Sequence, residues 1–180
     1  MKQKTIYKIM LFLLLVIATW SCERDDICAD TTDTTPHLII RFYDINNPEN
    51  RKQVRQLSIR GFDADGNEIE QDFFATANTD SIVLPLRFQT ENASTSSKFI
   101  LEKDRDFFLD ENPATNSNID IISVNYIPEF VYVSRACGYK SIFTNVSITI
   151  NPDSNNWIFS SEIVNSTIEN ETQAQIILRH

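Results

Sequence analysis

The sequence predicts an all-β fold: a single antiparallel β-sandwich, immunoglobulin-like or related, with about eight or nine strands behind an N-terminal signal helix. Three observations carry this. Beyond residue 22 the apolar residues recur with period two, as in Leu38, Ile40 and Phe42, which places them on one face of a strand. The runs are short and are separated by clusters of Asn, Asp and Pro, which make turns by local hydrogen bonding and a fixed φ. No ten-residue window after Cys22 carries a helical stripe. A chain of 180 residues, 42% hydrophobic, suits one core-forming domain, and the sequence contains no internal repeat.

The first element is an address. Lys2, Lys4 and Lys8 form a positive region ahead of the unbroken apolar run Ile9–Ala18. Ten residues at helical rise reach about 15 Å, half a bilayer's hydrocarbon core, so the run reads as a signal peptide and not as a permanent span. Small residues Thr19 and Ser21 then precede Cys22. A cysteine placed where the apolar run ends predicts a bacterial lipoprotein signal, with cleavage before Cys22 and lipidation on it. The alternative is a plain secretory peptide. Lipoprotein signals usually carry Leu three residues before the cysteine, where this chain has Thr19. Either reading exports the chain. The expected organisation is residues 1–21 as signal peptide, 22–36 as a lipid-anchored lead-in and 37–180 as the sandwich.

Charge narrows the partners. The chain carries 25 acidic against 16 basic residues, net −9. Residues 1–21 hold three lysines and no acid, so the processed chain is at net −12. That argues against nucleic acid, whose phosphates require a basic face. It also disfavours adsorption to anionic lipid heads, so attachment to a membrane must be covalent.

The three cysteines are Cys22, Cys28 and Cys137, and an odd count in an exported chain requires an explanation. With Cys22 lipidated, Cys28 and Cys137 are left to form a disulfide in an oxidising compartment. The alternative is two buried free thiols.

The body follows in order. The polar stretch Ala29–Pro36 is an exposed lead-in. His37–Asp44 is the first strand, ended by Asn46–Asn50. Val54–Phe62 is the second, turned back at Asp63–Asn67 so that Ile69–Ala75 returns beside it. Ser81–Leu86 contains Pro85, which removes a ladder donor and places this strand at an edge or a bulge. Phe99 and Leu101 mark another strand, and residues 104–118 a long loop. Ile119–Tyr126 and Glu129–Val133 are two β-rich runs split by Pro128. Tyr139–Ile150 is long and β-branched. Trp157–Ile168 and Thr172–Leu178 close the chain.

Candidate chemistry is sparse. The Asp63-Ala-Asp-Gly-Asn run is not a calcium loop, which wants Gly at its sixth position and a distal Glu; it reads as a hairpin turn. His37 and His180 lie in no ligand spacing. Asp104 with Asp106, and Asp110 with Glu111, read as solvated loop acids and not as catalytic dyads. No catalytic, metal or cofactor residue is assigned, and no cofactor is expected. Trp157-Ile-Phe with Tyr126, Tyr132 and Tyr139 could form an aromatic platform, although core packing is the commoner use of such residues. Asp30-Thr31-Thr32, Asp33-Thr34-Thr35 and Asp80-Ser81-Ile82 resemble an O-glycosylation pattern of some Gram-negative lineages, which makes Thr31, Thr34 and Ser81 candidates.

Cys22-Glu-Arg-Asp-Asp-Ile-Cys28, His37-Leu-Ile-Ile-Arg-Phe-Tyr-Asp44, Asp80-Ser-Ile-Val-Leu-Pro-Leu86 and Tyr132-Val-Ser-Arg-Ala-Cys-Gly-Tyr139 together resemble an uncharacterised bacterial lipoprotein family, the domain-of-unknown-function family 6452. The resemblance covers nearly the whole processed chain. It implies an exported, cysteine-anchored β domain and supplies no activity. Arg24-Asp25-Asp26 is similar to a surface-export signal of such lipoproteins. The expected function is a non-catalytic binding or assembly module, lipid-anchored in the cell envelope at the outer membrane, whose partners are that membrane and other envelope proteins or glycans. The alternative is an accessory sugar-binding or sugar-processing lipoprotein with a loop-built site.

Overall fold

The structure is a computed structural model and describes residues 10, 27–73, 76–105 and 116–180. The expected signal helix, the Cys22 lipidation site and the acids Asp106, Asp110 and Glu111 lie outside them, Met10 apart. The chain divides into two compact units, Met1–Thr32 with Tyr132–Tyr139 and Asp33–Val131 with Lys140–His180.

Among the described residues there are nine strands: β1 (Leu38–Tyr43), β2 (Val54–Gly61), β3 (Ala77–Thr79), β4 (Ser81–Leu84), β5 (Thr95–Lys103), β6 (Asn118–Ser134), β7 (Gly138–Ile150), β8 (Ser160–Ile163) and β9 (Ile176–Arg179). They form a four-stranded sheet, β4-β1-β9-β8, and a five-stranded sheet, β3-β2-β5-β6-β7. The all-β reading therefore holds. Inward residues of both sheets supply one core in the larger unit, among them Leu38, Ile40 and Phe42 of β1, Leu57 and Ile59 of β2, Ile122 and Val124 of β6, and Ile176 and Leu178 of β9.

Four expectations about elements are corrected. The sheets are not wholly antiparallel, because β1 pairs β9 in parallel, with Ile40 opposite Ile176 and Phe42 opposite Leu178. A parallel pair needs a crossover connection. Here every other strand intervenes in sequence between the two, so the chain has length to spare. The return limb after the Asp63 turn, expected over 69–75, is not a strand over 69–73, and residues 74 and 75 lie outside the described residues. Ile69 N–H donates to Gly61 O and Phe73 N–H to Ile59 O. Four residues on that limb therefore span two on β2, and the excess breaks the ladder. The limb instead places Phe73 against Gly61, where a Cβ would lie 2.6 Å from the Phe73 ring. Pairing with β2 resumes only at β3.

Pro128 does not split its strand, since β6 runs unbroken from Asn118 to Ser134. The β5 ladder ends at the pair Thr95–Tyr126, and Pro128 O accepts from Asn92 N–H. The missing proline N–H thus faces the side that β5 has already left, where it costs no ladder bond. Finally, only Ser160–Ile163 of the expected run Trp157–Ile168 is strand. Trp157 and Ile158 turn into the core instead. The expectation for Pro85 holds: β4 stops before it and lies at a sheet edge.

Candidate functional site

In the smaller unit, Cys28 and Cys137 are joined by a disulfide across 109 residues of sequence, with their Cα atoms 4.8 Å apart, inside the range a disulfide accepts. The local chain prepares the pairing. Ser134 Oγ accepts from Cys137 N–H at 3.0 Å, which closes the turn between β6 and β7. Gly138 then takes φ +70°, a left-handed conformation that costs glycine nothing. On the other side Thr32 N–H donates to Ala29 O. The two segments enclose an open cleft of about 460 Å³ lined by Ile27, Ala29 and Thr32 from the lead-in and by Tyr132, Ser134 and Arg135 from the hairpin. Tyr132 and Tyr139 meet edge to face, with ring centroids 5.4 Å apart.

The aromatic candidates separate by environment. Tyr126 and Trp157 are core residues. Tyr126 Oη donates to Arg87 O at 2.9 Å and pairs with Ser97 Oγ at 2.6 Å, while burial pushes its phenol above the usual range. Trp157 packs on Phe42 and donates Nε1–H to Leu101 O. Phe159 is exposed, as are Tyr132 and Tyr139. Of the glycosylation candidates, Thr31 and Thr34 are exposed in the lead-in. Ser81 lies within β4, and its Oγ donates to Ile40 O.

The larger unit holds a second cavity, of about 240 Å³, between the loops after β2 and β4. It is lined chiefly by apolar groups, Gly61, Ile69, Phe73, Leu86 and Phe99, with Arg87 and Lys98 among them. Arg87 is pinned by the carbonyls of Asp63 and Ser96. Asp63 is the carboxylate of this cavity, and it is held below the usual range by Asn67, whose side chain and N–H both donate to it, and by the N–H groups of Asp65 and Gly66. A general acid needs the opposite shift. The Asp63 loop is the hairpin turn expected, with Gly66 at φ +86°. Among the described residues no group of His, Cys, Asp and Glu could hold a metal ion, and no helix is long and apolar enough to cross a membrane.

One carboxylate is raised. Asp120 is fully buried on the inner face of β6. Burial raises its pKa, against hydrogen bonds from the Ile158 and Trp157 N–H groups that lower it. Asp120 lines neither cavity described above, and its two hydrogen bonds hold the chain at Trp157 and Ile158. Sequence reading overlooked it. The signal was its phase, since Asp120 shares the inward face with Ile122 and Val124.

The outer face of the five-stranded sheet carries the charged networks. Arg105 Nη1 donates to both oxygens of Asp72, at 2.6 and 2.7 Å, and to Ser58 Oγ. Arg60 bridges Glu68 at 2.6 Å and Glu102 at 2.8 Å. Asp104, half of an acid pair in the sequence, is instead bound to Arg55 at 2.6 Å. His37 pairs with Glu171 at 2.7 Å. His180 stacks edge-on against Phe42 and Trp157, and burial lowers its pKa. Each histidine thus has a structural role.

Glu102 sets an expected pH response. Burial raises its pKa, but hydrogen bonds from Ser117 and Arg60 and the charges of Arg60 and Arg105 outweigh this, leaving it below the ordinary value of 4.5. A carboxylate depressed in the folded state contributes stability that is present above its unfolded pKa and is lost as pH falls through the folded one. Urea unfolding of the Glu102→Gln protein should therefore show a shallower loss of stability below pH 4.5 than the wild type. An unchanged acid limb would contradict the assignment.

The fold and site define a two-sheet all-β domain whose lead-in is stapled to a hairpin by a disulfide. By sequence the chain belongs to a family of unknown function (DUF6452), whose pattern matches residues 56–180. That span includes Asp80–Leu86 and Tyr132–Tyr139 and excludes Cys22–Cys28 and His37–Asp44, so it is narrower than the resemblance read from the sequence. Neither the curated proteins nor the solved structures contain a match.

Proposed function

We propose that this chain is an exported lipoprotein of the cell envelope, anchored at the outer membrane through Cys22, and that its β-sandwich, immunoglobulin-like or related, acts as a non-catalytic binding or assembly module. The observation that carries this reading is the partition of the cysteines. Cys28 and Cys137 are bonded to each other, which leaves Cys22 as the odd thiol, at the end of a signal-like apolar run. The partners are other envelope proteins or glycans, and the exposed Thr31 and Thr34 are its sites for O-glycosylation.

The second reading, sugar binding or processing at a loop-built site, draws on the 240 Å³ cavity. Its apolar lining and the depressed Asp63 support binding there over acid–base chemistry.

The test of the anchor is fractionation after a carbonate wash. Wild type should remain with the membrane as a cleaved species. Cys22→Ser should accumulate as uncleaved precursor or appear in the soluble fraction. A Cys22→Ser protein that is cleaved and stays membrane-bound like wild type contradicts the proposal.

A further inference from the structure

We infer that the hairpin between β6 and β7 is a second, non-covalent membrane contact, with Tyr132, Tyr139 and Ile27 seated in the headgroup layer of the bilayer that carries the anchor. The inference rests on lipidation at Cys22. Its observations lie in the smaller unit. Ile27 is 84% exposed, Tyr132 56% and Tyr139 69%. Scattered exposed apolar residues mean little, but these are not scattered. Ile27 and Tyr132 line the same cleft, the two tyrosine rings touch, and Cys28, next to Ile27, is bonded to the turn that joins the strands bearing them.

The length of chain ahead of this cluster selects the occupant. From Cys22 to Cys28 is six residues, at most about 21 Å when fully extended. The disulfide adds 4.8 Å between Cα atoms. The hairpin turn is thus confined to a shell about 25 Å in radius around an anchored cysteine that itself sits at the headgroups, and half of that shell is lipid. Tyrosine, apolar in body and polar at its tip, is the side chain that partitions into this layer. Tethering makes the contact intramolecular, so an affinity too weak for free adsorption suffices. The chain is strongly acidic, so the contact is apolar and not a salt-dependent attraction to anionic lipid.

Tryptophan substitution reads the contact directly. After loss of the signal peptide the wild type keeps Trp157 alone, which is buried. The lipidated Tyr132→Trp protein would be placed in phosphatidylcholine vesicles whose acyl chains are brominated near the headgroup. We expect emission from the introduced indole to fall about two-fold relative to unbrominated vesicles, at low and high salt alike, with reduced quenching by aqueous iodide. Tyr139→Trp should behave the same way and serves if the first variant folds poorly. Vesicle co-sedimentation separates the two levels of the argument. Protein that does not sediment overturns the anchor and this contact together. Protein that sediments, yet is quenched by iodide and not by bromolipid, overturns the contact alone. That second result is also what a glycan or protein occupant of the tyrosine pair would give.

Discussion

Replacing Cys28 and Cys137 together by serine is expected to lower the unfolding free energy by about 4–5 kcal/mol, the chain-entropy value for a loop near a hundred residues. The bond spans 109 residues, and β1 through β6 lie inside the loop it closes. Cys28 is itself exposed, so its loss removes little packing. The effect falls mainly on the unfolded chain, which becomes free to expand. Two consequences can be measured by denaturant titration. Cys28→Ser alone should cost nearly as much as the double variant, because each change breaks the same bond and the effects do not add. Reduced wild type should match the double variant. Intermediate stabilities that summed from the single changes would show that the cysteines contribute separately, as packed thiols, and would contradict the account.

The second large effect is expected at Asp120. Its Oδ1 accepts from Trp157 N–H at 3.2 Å and its Oδ2 from Ile158 N–H at 2.8 Å, with the side chain fully buried. Asn offers one acceptor and turns an N–H₂ group toward the other backbone donor. Asp120→Asn should therefore cost about 2–4 kcal/mol, and Asp120→Leu at least as much, since both buried donors then go unpaired. The pH sign is opposite to that of Glu102. Burial raises the folded pKa of Asp120 above the ordinary 3.8, so the folded state holds its proton more tightly than the unfolded chain. The contribution from this group is present below pH 3.8 and is lost as pH rises through the folded pKa. In Asp120→Asn that part of the slope should vanish while the acid limb set by Glu102 remains. A cost near zero for Asp120→Asn would mean that the turn at Trp157 is held by core packing alone.

Much of this architecture was legible in the residues, and the reasons differ by element. Alternation is enough where one face is buried and the other wetter, which is why β1 and β9 are read directly from their apolar phase. In β2 and β5 the inward Leu57, Ile59, Phe99 and Leu101 still mark the strands, although Ser58 and Ile100 on the other face are also buried. Pairing is not encoded locally. Nothing in Ala174, Ile176 and Leu178 says that the last strand lies parallel to the first, because parallel partners are chosen by the path of the whole chain. The limb at 69–73 fails for a related reason: its alternation is sound, but its length is wrong for the two hydrogen bonds that fix it. Pro128 misleads because a proline breaks a strand only on the side where its N–H is needed. At the sites, cysteine parity sufficed to propose the Cys28–Cys137 bond. The phase of Tyr126 with Ile122 and Val124 marks it as core, but Tyr132 has the same phase on β6 and is exposed, so phase alone does not separate the two. The Arg105–Asp72–Ser58 network joins three distant segments, and no spacing rule would have found it.

The central proposal is one division of labour among three cysteines, in which Cys22 would take the lipid while Cys28 and Cys137 take each other. The most direct measurement is mass spectrometry of the protein extracted from membranes without reductant, intact and after digestion. The account predicts a chain beginning at Cys22 and carrying diacylglycerol and acyl mass, with one cross-linked peptide pair that contains Cys28 and Cys137. A chain that begins elsewhere, an unmodified Cys22, or recovery of Cys28 and Cys137 as freely alkylatable thiols would contradict it.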